Sequence, residues 1–214
     1  MNIAILGGTG KEGAGLGARW ARGGHSIIIG SRDAERARQK AAELRERTQK
    51  LTIIGHSNLE AAELGEVIVL ALPAVGLDTT LPPLRTACRG KVVVSTVVPL
   101  TFGGPRLFTP PAAGSSAEEA QALLPDARVV AAFHHIAAHE LSETGHPIDC
   151  DLLLCGADVA AKAVVIELGV SMGLRTIDVG ALSNAGPLEG ITALLATINR
   201  RYKLKNSGIK ITGL

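Results

Sequence analysis

The sequence predicts an α/β fold whose doubly wound, mainly parallel sheet is covered by helices on both faces. Short aliphatic segments alternate with helix-like segments along most of the 214 residues, an order that is typical of βαβ units. The strand-like segments are runs of Ile, Val and Leu rather than alternations of apolar and polar residues. Such runs are expected for strands that are buried on both faces.

The elements follow one another in a regular order. Strands are expected at 3–6, 26–29, 51–55, 67–72, 91–95 and 128–132, and helices at 11–22, 33–49, 59–63, 75–88 and 116–123. A smaller unit follows, with strands at 151–155 and 174–179 and helices at 158–172 and 187–202. The sequence thus predicts a first domain over residues 1–149 and a small C-terminal domain over residues 150–214 that caps it.

A glycine motif lies between the first strand and the first helix. Gly8, Gly10 and Gly13 have the Gly-x-Gly-x-x-Gly spacing. This spacing alone is weak in a chain with 25 glycines, but the flanking strands and helix supply the context of a Rossmann-type, dinucleotide-binding βαβ unit. We expect Gly8 to form the tight turn, Gly10 to admit the pyrophosphate and Gly13 to let the helix pack closely. A purely structural glycine-rich turn is the alternative.

The end of the second strand indicates which dinucleotide is bound. An acidic residue there would hydrogen-bond the ribose hydroxyls and repel a 2′-phosphate, whereas this chain has Ser31 and Arg32. A hydroxyl and a guanidinium grip a phosphate through charge-assisted hydrogen bonds, and Arg36 lies one helical turn further on. The sequence therefore favours NADP over NAD. An ordinary solvated helix face is the alternative, and Asp33 keeps an acid nearby.

Composition argues against several classes of function. The formal net charge is +2 and aromatic residues make up 2% of the chain, so nucleic-acid binding lacks both a basic patch and stacking side chains. The first strand directly follows Met1 and no apolar run spans a bilayer, so we expect a soluble, cytoplasmic protein without a membrane segment. Cys88, Cys150 and Cys155 lack metal or redox spacing and are expected to be buried free thiols.

Ligands of open parallel sheets bind beyond the carboxyl ends of the strands, which directs attention to residues 72–73, 95–99 and 133–138. His134 directly follows a strand and is a candidate for contact with the nicotinamide or its partner, with a structural histidine as the alternative. His134, His135 and His139 have helical spacing, but no metal is expected. The loop 99–116, with Gly103, Gly104 and Pro105, suggests a lid or a subunit contact, with a passive surface loop as the alternative.

Several motifs in order resemble the NADPH-dependent reductases of the deazaflavin coenzyme F420. They are Gly7-Gly8-Thr9-Gly10-x-x-Gly13, Ile29-Gly30-Ser31-Arg32, Leu72-Pro73, Ser95-x-x-Val98-Pro99, His134, Cys155-Gly156, Asp178-x-Gly180-x-Leu182-Ser183-Asn184 and Gly208-Ile209-Lys210. The resemblance covers essentially the whole chain. It departs at Ala74-Val75-Gly76, where larger residues are typical, and at His135 and His139, where Thr and Arg are typical.

The resemblance implies hydride transfer between NADP(H) and coenzyme F420 in a homodimer, with nicotinamide C4 stacked on deazaflavin C5 at about 3 to 3.5 Å. No catalytic residue is required, because both partners carry the chemistry, and His134 is the one weak candidate. The implied NADP contacts are Thr9, Gly10, Lys11, Glu12, Ser31, Arg32, Arg36, Leu72, Gly76, Val98 and Ala138. His134, Ser183 and Leu188 are implied on the deazaflavin side.

Two other functions remain open from the sequence. One is an NADPH-dependent reductase of another acceptor, such as a flavin, a quinone or a metal chelate. The other is a non-catalytic NADP(H) sensor that reports redox state to a protein partner. Ser183 and Asn184 precede the last helix as an N-cap region that is also able to meet a second ligand. That feature favours an enzyme over a sensor.

Overall fold

The computed structural model describes residues 1–50, 52–104 and 106–214. Its strands are β1 (Asn2–Leu6), β2 (Ser26–Ser31), β3 (Ile53–Ser57), β4 (Val67–Leu70), β5 (Val92–Ser95), β6 (Arg128–Ala131), β7 (Asp151–Gly156) and β8 (Arg175–Asp178). They form one sheet in the order β3-β2-β1-β4-β5-β6-β7-β8. All neighbours pair in parallel except β6 and β7, which are antiparallel.

Helices cover both faces of this sheet. They are α1 (Lys11–Arg22), α2 (Ala34–Thr48), α3 (Asn58–Leu64), α4 (Leu77–Thr80), α5 (Arg85–Cys88), α6 (Ser116–Leu123), α7 (Ala138–Ser142), α8 (Val159–Val170) and α9 (Ala185–Tyr202). Single 3₁₀ turns at Pro82–Leu84 and Leu182–Asn184 precede α5 and α9. The predicted α/β, doubly wound and mainly parallel fold is therefore confirmed.

The aliphatic strands supply a hydrophobic core on each side of the sheet. Ile3 and Ile5 of β1 join the cluster that contains Trp20 of α1. Ala4 and Leu6, which alternate with them along the strand, belong to the opposite cluster. Because successive residues of a strand point to opposite faces, a strand of this kind must be apolar throughout. The run Ile3-Ala4-Ile5-Leu6 meets that requirement.

The strand order reverses between β1 and β4. The chain moves outward through β2 and β3, then returns across β1 to β4, β5 and β6. At such a reversal the connections leave the sheet in opposite directions, and a crevice opens beyond the carboxyl ends of the two central strands. The glycine turn after β1 lies at this crevice.

The predicted continuous helix over 75–88 is wrong. Gly76 has φ +93°, so regular helix begins only at Leu77 as α4. Pro82 and Pro83 follow, and because proline lacks an N–H group they interrupt the helix as a 3₁₀ turn. The other predicted elements before residue 150 are present within one or two residues of their predicted bounds, although the first residue of strand 51–55, Leu51, lies outside the described residues.

Residues 150–214 extend the same sheet through β7 and β8. Their last segment is pinned to β7, because the Asp151 N–H donates to the Ile209 carbonyl and the Ile211 N–H donates to Asp151 Oδ2 at 2.6 Å. The division at residue 149 stays a prediction. Within the described parts of the chain, no helix combines the length and the apolar character needed to cross a bilayer.

Candidate functional site

The turn after β1 admits only glycine at several positions. Gly7 has φ +75°, and a Cβ there would lie 2.4 Å from the Ala71 carbonyl oxygen. A Cβ on Gly8 would lie 2.8 Å from the Ile5 carbonyl oxygen, and a Cβ on Gly13 would lie 2.8 Å from Gly8 Cα. The tight turn predicted at Gly8 thus has its left-handed residue at Gly7, while the Gly8 N–H donates to the Ile5 carbonyl at 3.1 Å. Gly8 and Gly13 instead allow the start of α1 to pack onto β1.

Gly10 has the opposite environment. It is the N-cap of α1, and the nearest heavy atom to a Cβ built there is the Gly7 carbonyl oxygen at 3.5 Å. Its outer face is thus open, beside the first N–H groups of a helix, which have no partner within the helix. A cavity of about 660 Å³ adjoins this turn, and Thr9, Lys11 and Ala138 are among the residues that line it. These three predicted contacts are therefore brought together.

The second strand ends in a turn with free basic groups. Asp33 is the N-cap of α2, and its carboxylate accepts the Glu35 and Arg36 N–H groups. Ser31 is buried, and its hydroxyl oxygen accepts the Asp33 N–H at 3.2 Å, which leaves the hydroxyl hydrogen available. Arg32 and Arg36 are exposed and have no ion-pair partner among the described residues. The nearby acid is therefore used in capping its own helix.

The C-terminal end of α7 is held against α1 by a buried arginine. The Arg19 guanidinium donates to the carbonyls of Glu140 at 2.6 Å, Glu143 at 2.8 Å and Leu141 at 3.3 Å. Burial lowers the Arg19 pKa, the Glu140 carboxylate partly opposes that change, and the charge of Arg22 adds slightly to it. Close approach of the two helices also requires Gly15, where a Cβ would lie 2.7 Å from Leu141 Cβ. This packing positions Ala138 beside the glycine turn.

The remaining predicted NADP contacts lie after β4 and β5. Leu72 and Val98 are half-buried and follow the carboxyl ends of these strands, and Gly76 is the left-handed N-cap of α4. Thr96 joins the two strand ends, because its N–H and its hydroxyl both donate to the Leu70 carbonyl, at 3.2 and 3.1 Å. Glu12 Oε1 is buried without a hydrogen-bond partner among the described residues.

His134 is buried after β6, with 5% of its surface exposed. Within the described residues, neither ring nitrogen has a hydrogen-bond partner of acceptable geometry, although the carbonyls of Ala132, Leu188 and Ser95 lie near the ring. Burial, followed by repulsion from His135, lowers the His134 pKa to about 3. The imidazole is therefore neutral at neutral pH, and it retains one N–H to donate and one nitrogen to accept.

The residue before His134, Phe133, has a strained backbone conformation that sets the direction of the chain at His134. Phe133 has φ +66°, an unfavourable backbone conformation for a bulky side chain. Its ring is held edge-on to Trp20 with the ring centroids 5.2 Å apart. The Thr192 hydroxyl of α9 donates to the His134 carbonyl at 3.1 Å. Strain of this kind persists where the surrounding packing fixes it, and it is concentrated at functional sites.

The other residues of this region differ in exposure. Leu188 on α9 is buried beside the His134 ring, whereas Ser183 is exposed in the 3₁₀ turn. Asn184 is the N-cap of α9, but its side chain donates to the Val179 carbonyl rather than capping the helix. The predicted N-cap region is thus at the start of α9, without a side-chain capping hydrogen bond from Asn184.

The three neighbouring histidines do not share a helix. His135 Nε2 accepts the Leu153 N–H and also contacts the Asp151 carbonyl, so this ring is bound to β7. His139 is exposed on α7, which begins only at Ala138. Across the described ranges, no cluster of three or more His, Cys, Asp or Glu side chains is arranged to hold a metal ion. Cys88, Cys150 and Cys155 are buried and free, as predicted.

One buried carboxylate was not predicted. Glu189 on α9 is 1% exposed and accepts the backbone N–H groups of Ser116 and Ala117 at 3.0 and 3.1 Å. It caps the start of α6 from another helix, and burial raises its pKa to about 7 despite these hydrogen bonds. A cap from so distant a residue leaves no local sequence pattern, since an N-cap is recognised from the residue directly before the helix.

Comparison with known proteins identifies the family. The family profile described as NADP oxidoreductase coenzyme F420-dependent matches residues 2–99. The chain is 44% identical to the F420-dependent NADP reductase of Methanocaldococcus jannaschii over 223 aligned residues, covering 100% of this chain and 99% of the relative. The chain belongs to this family. The reductase of Methanothermobacter marburgensis is 41% identical with the same coverage.

A solved structure extends the family similarity to the whole fold. A candidate F420-dependent NADP reductase from Arthrobacter sp. FB24 superposes with a TM-score of 0.85 at 25% identity, covering 99% of both chains. The resemblance first indicated by the ordered motifs of the sequence is thus confirmed as family membership. The similarity includes β7, β8 and α9, because the aligned region extends over nearly all of the chain.

Proposed function

We propose that this protein transfers a hydride between NADP(H) and coenzyme F420. The observation that carries the proposal is the turn after β2, where Asp33 caps its own helix and the Ser31 hydroxyl and two arginines are left for a phosphate. The family relationship over the full chain supports F420 as the second substrate, since its relatives are named as F420-dependent NADP reductases.

The residues present suit an NADP molecule. The open face of Gly10 and the first N–H groups of α1 are suited to the pyrophosphate. Ser31, Arg32 and Arg36 are suited to the 2′-phosphate, because a guanidinium matches phosphate oxygens with paired donors. The further proposed contacts complete the cleft: Gly8, Thr9, Lys11, Glu12, Gly13, Leu72, Gly76, Val98 and Ala138.

The deazaflavin side is proposed at His134, Ser183 and Leu188. When bound, NADPH supplies a hydride from its nicotinamide ring and the deazaflavin accepts it, so the chain itself needs no nucleophile. The task of the protein is to hold the two rings in direct contact and to exclude water. His134 is neutral, and its ring nitrogens have no hydrogen-bond partner within the part of the chain that the structure describes, which suits it to hydrogen-bond a polar ring edge in that contact.

We also propose a homodimer, with residues 150–214 contributing to the interface and to closure of the cleft. The outer face of α9 supports this, because Leu194, Ile198 and Tyr202 are exposed at a spacing of four residues. Exposed apolar stripes of this kind commonly mark subunit contacts. The cytoplasmic localisation of the protein stays a prediction.

The direct test mixes purified protein with coenzyme F420 and NADPH and follows absorbance at the oxidised deazaflavin band. We expect rapid bleaching with NADPH and little with NADH, and no bleaching of FMN in place of F420. NADPH binding without turnover of F420 would contradict the proposal. It would instead favour another acceptor or a redox sensor.

A matched pair of variants tests the phosphate contact. Arg32→Ala should raise the Kd for NADPH about tenfold or more and leave the Kd for NADH nearly unchanged, because it removes a charge-assisted hydrogen bond to the 2′-phosphate. Arg38→Ala is the control, since Arg38 is exposed and already paired with Glu35 at 3.0 Å. Equal losses of NADPH and NADH affinity in Arg32→Ala would contradict the assignment.

A further inference from the structure

Glu12 is an acidic residue in a place built for an anion. It is the second residue of α1, where the helix N-terminus and Lys11 favour a phosphate. Its carboxyl group is directed to Thr96, which follows β5. In the sheet, β5 lies on the other side of β1 from β2, which ends at Ser31. Glu12 therefore faces the end of the cleft opposite the proposed 2′-phosphate site, where the nicotinamide belongs.

The Glu12 carboxyl group has few hydrogen-bond partners among the described residues. Oε1 is fully buried and has no hydrogen-bond partner among the described residues. Burial raises the Glu12 pKa to about 7, and the contact with the Thr96 hydroxyl opposes that rise. The elements packed against α1 carry His139 and Glu140 on α7 and Lys40, Glu43 and Arg47 on α2, and none of these side chains contributes to the shift of the Glu12 pKa.

Thr96 provides a partner for either protonation state. Its hydroxyl has one hydrogen, and it lies 3.1 Å from the Leu70 carbonyl oxygen, to which it donates. In that orientation it offers a lone pair that a protonated Glu12 is able to use. If Glu12 ionises, the same hydrogen turns to the carboxylate. The pair thus has two hydrogen-bonding arrangements that differ by one proton and one hydroxyl rotation.

We propose that Glu12 is a proton-linked contact of the nicotinamide ring, protonated beside the neutral ring of NADPH and ionised beside the cationic ring of NADP⁺. The proposal rests on the proposed binding of NADP(H). The proton that leaves the carboxyl when NADP⁺ binds passes to solvent, and no bond of the nucleotide changes in this step. Glu12 Oε1, which is buried without a hydrogen-bond partner among the described residues, would then interact with the positive charge of the oxidised nicotinamide ring.

Linkage fixes the direction of the expected effect. A cationic ring favours the carboxylate, so NADP⁺ should bind more tightly relative to NADPH as the pH rises. The ratio of the Kd for NADP⁺ to the Kd for NADPH should fall about tenfold between about pH 6 and pH 8. Because both nucleotides carry the same 2′-phosphate, its own titration cancels in this ratio.

The experiment measures both dissociation constants across that pH range, by NADPH fluorescence and by displacement with NADP⁺. Glu12→Gln keeps the shape of the side chain and should give a ratio that does not change with pH. Glu63→Gln, on the exposed side of α3, is the control and should keep the wild-type dependence. Thr96→Val should move the midpoint to higher pH, because it removes the contact that lowers the Glu12 pKa.

The outcomes separate this inference from the proposed function. Tight binding of both nucleotides with a ratio that is independent of pH, or equally dependent in Glu12→Gln, would overturn the role of Glu12 alone. Failure of the wild-type protein to bind either nucleotide would overturn the proposed function and this inference with it. The measurement needs no F420 and no turnover, so it is independent of the acceptor.

Discussion

The two halves of the candidate site are built in different ways. The phosphate half lies in the first βαβ unit, where the glycine turn and the Asp33 cap act on residues close to them in sequence. The opposite half combines Thr96 after β5, His134 after β6 and Leu188 on α9, which only the sheet brings together. The first half depends on backbone geometry at single residues, and the second depends on packing between distant elements.

The largest effect is expected in the phosphate half, from Gly7→Ala. The new Cβ would be 2.4 Å from the Ala71 carbonyl oxygen and would sit at φ +75°, so the variant should lose about 3 kcal/mol in the free energy of unfolding. It should also lose NADPH affinity. Chemical denaturation measures the first effect, and NADPH fluorescence titration measures the second.

Gly90→Ala is the matched control for Gly7→Ala. Gly90 has φ +70°, and no atom of the described residues lies within 4 Å of a Cβ placed there, so only the backbone penalty of about 1 kcal/mol applies. Equal destabilisation in the two variants would contradict the close approach of Gly7 to β4.

The opposite half should show a smaller loss of stability, from Glu189→Ala. Removal of this carboxylate leaves the buried N–H groups of Ser116 and Ala117 without acceptors, at a cost of about 2 kcal/mol. NADPH affinity should be unchanged, because α6 lies away from the glycine turn. Glu119→Ala on the same helix is the control, and a loss of stability there of similar size would argue against a specific cap.

His134→Leu should separate the two halves by function. The variant removes both ring nitrogens at similar volume, and the rate of F420 reduction should fall about tenfold. The Kd for NADPH should change by less than about twofold. The loss should be the same from about pH 6 to pH 8, since the His134 pKa is about 3. His146→Leu, at an exposed position, is the control. A loss of NADPH affinity in His134→Leu would contradict the assignment of His134 to the deazaflavin side.

The smallest effect on stability is expected from Asp151, which accepts hydrogen bonds from Arg175 and from the Ile211 N–H of the C-terminal segment. The Arg175 hydrogen bond holds the pKa of Asp151 at about 2, below its value of about 3.9 in an unfolded chain. A carboxyl with a lowered pKa stabilises the fold above its unfolded pKa, and that contribution is lost as the pH falls from about 4 to 2. The exposure of Arg175 keeps the effect small. Unfolding curves of Asp151→Asn should be less sensitive to pH in this range.

The phosphate half could be predicted well from the sequence. The spacing of Gly8, Gly10 and Gly13 and the pair Ser31 and Arg32 are local patterns with a physical reason at each position. Even there, the left-handed conformation of Gly7 was not predicted, because spacing does not report which residue approaches Ala71. Pro82 and Pro83 mark the break in the predicted helix over 75–88, because proline interrupts a helix. The prediction followed the helix-like pattern of the whole segment and gave these two residues too little weight.

The opposite half could be predicted only in part. His134 was a candidate because it follows a strand, but the neutral state of its ring is a result of burial between β5, β6 and α9. The cap that Glu189 supplies to α6 joins residues 73 apart in sequence. The antiparallel pairing of β7 with β6 likewise has no local pattern, because aliphatic strands suit either direction.

By itself, the sequence determined the fold class, the dinucleotide turn, the basic end of β2 and, through its ordered motifs, the family. These properties depend on backbone freedom, charge and apolar periodicity, which each short segment carries with it. The tertiary structure alone decided which groups are buried away from water, and so which of them are neutral at the site. Glu12, His134 and Glu189 acquire shifted pKa values there because desolvation depends on every element packed around a group, and not on its neighbours in sequence.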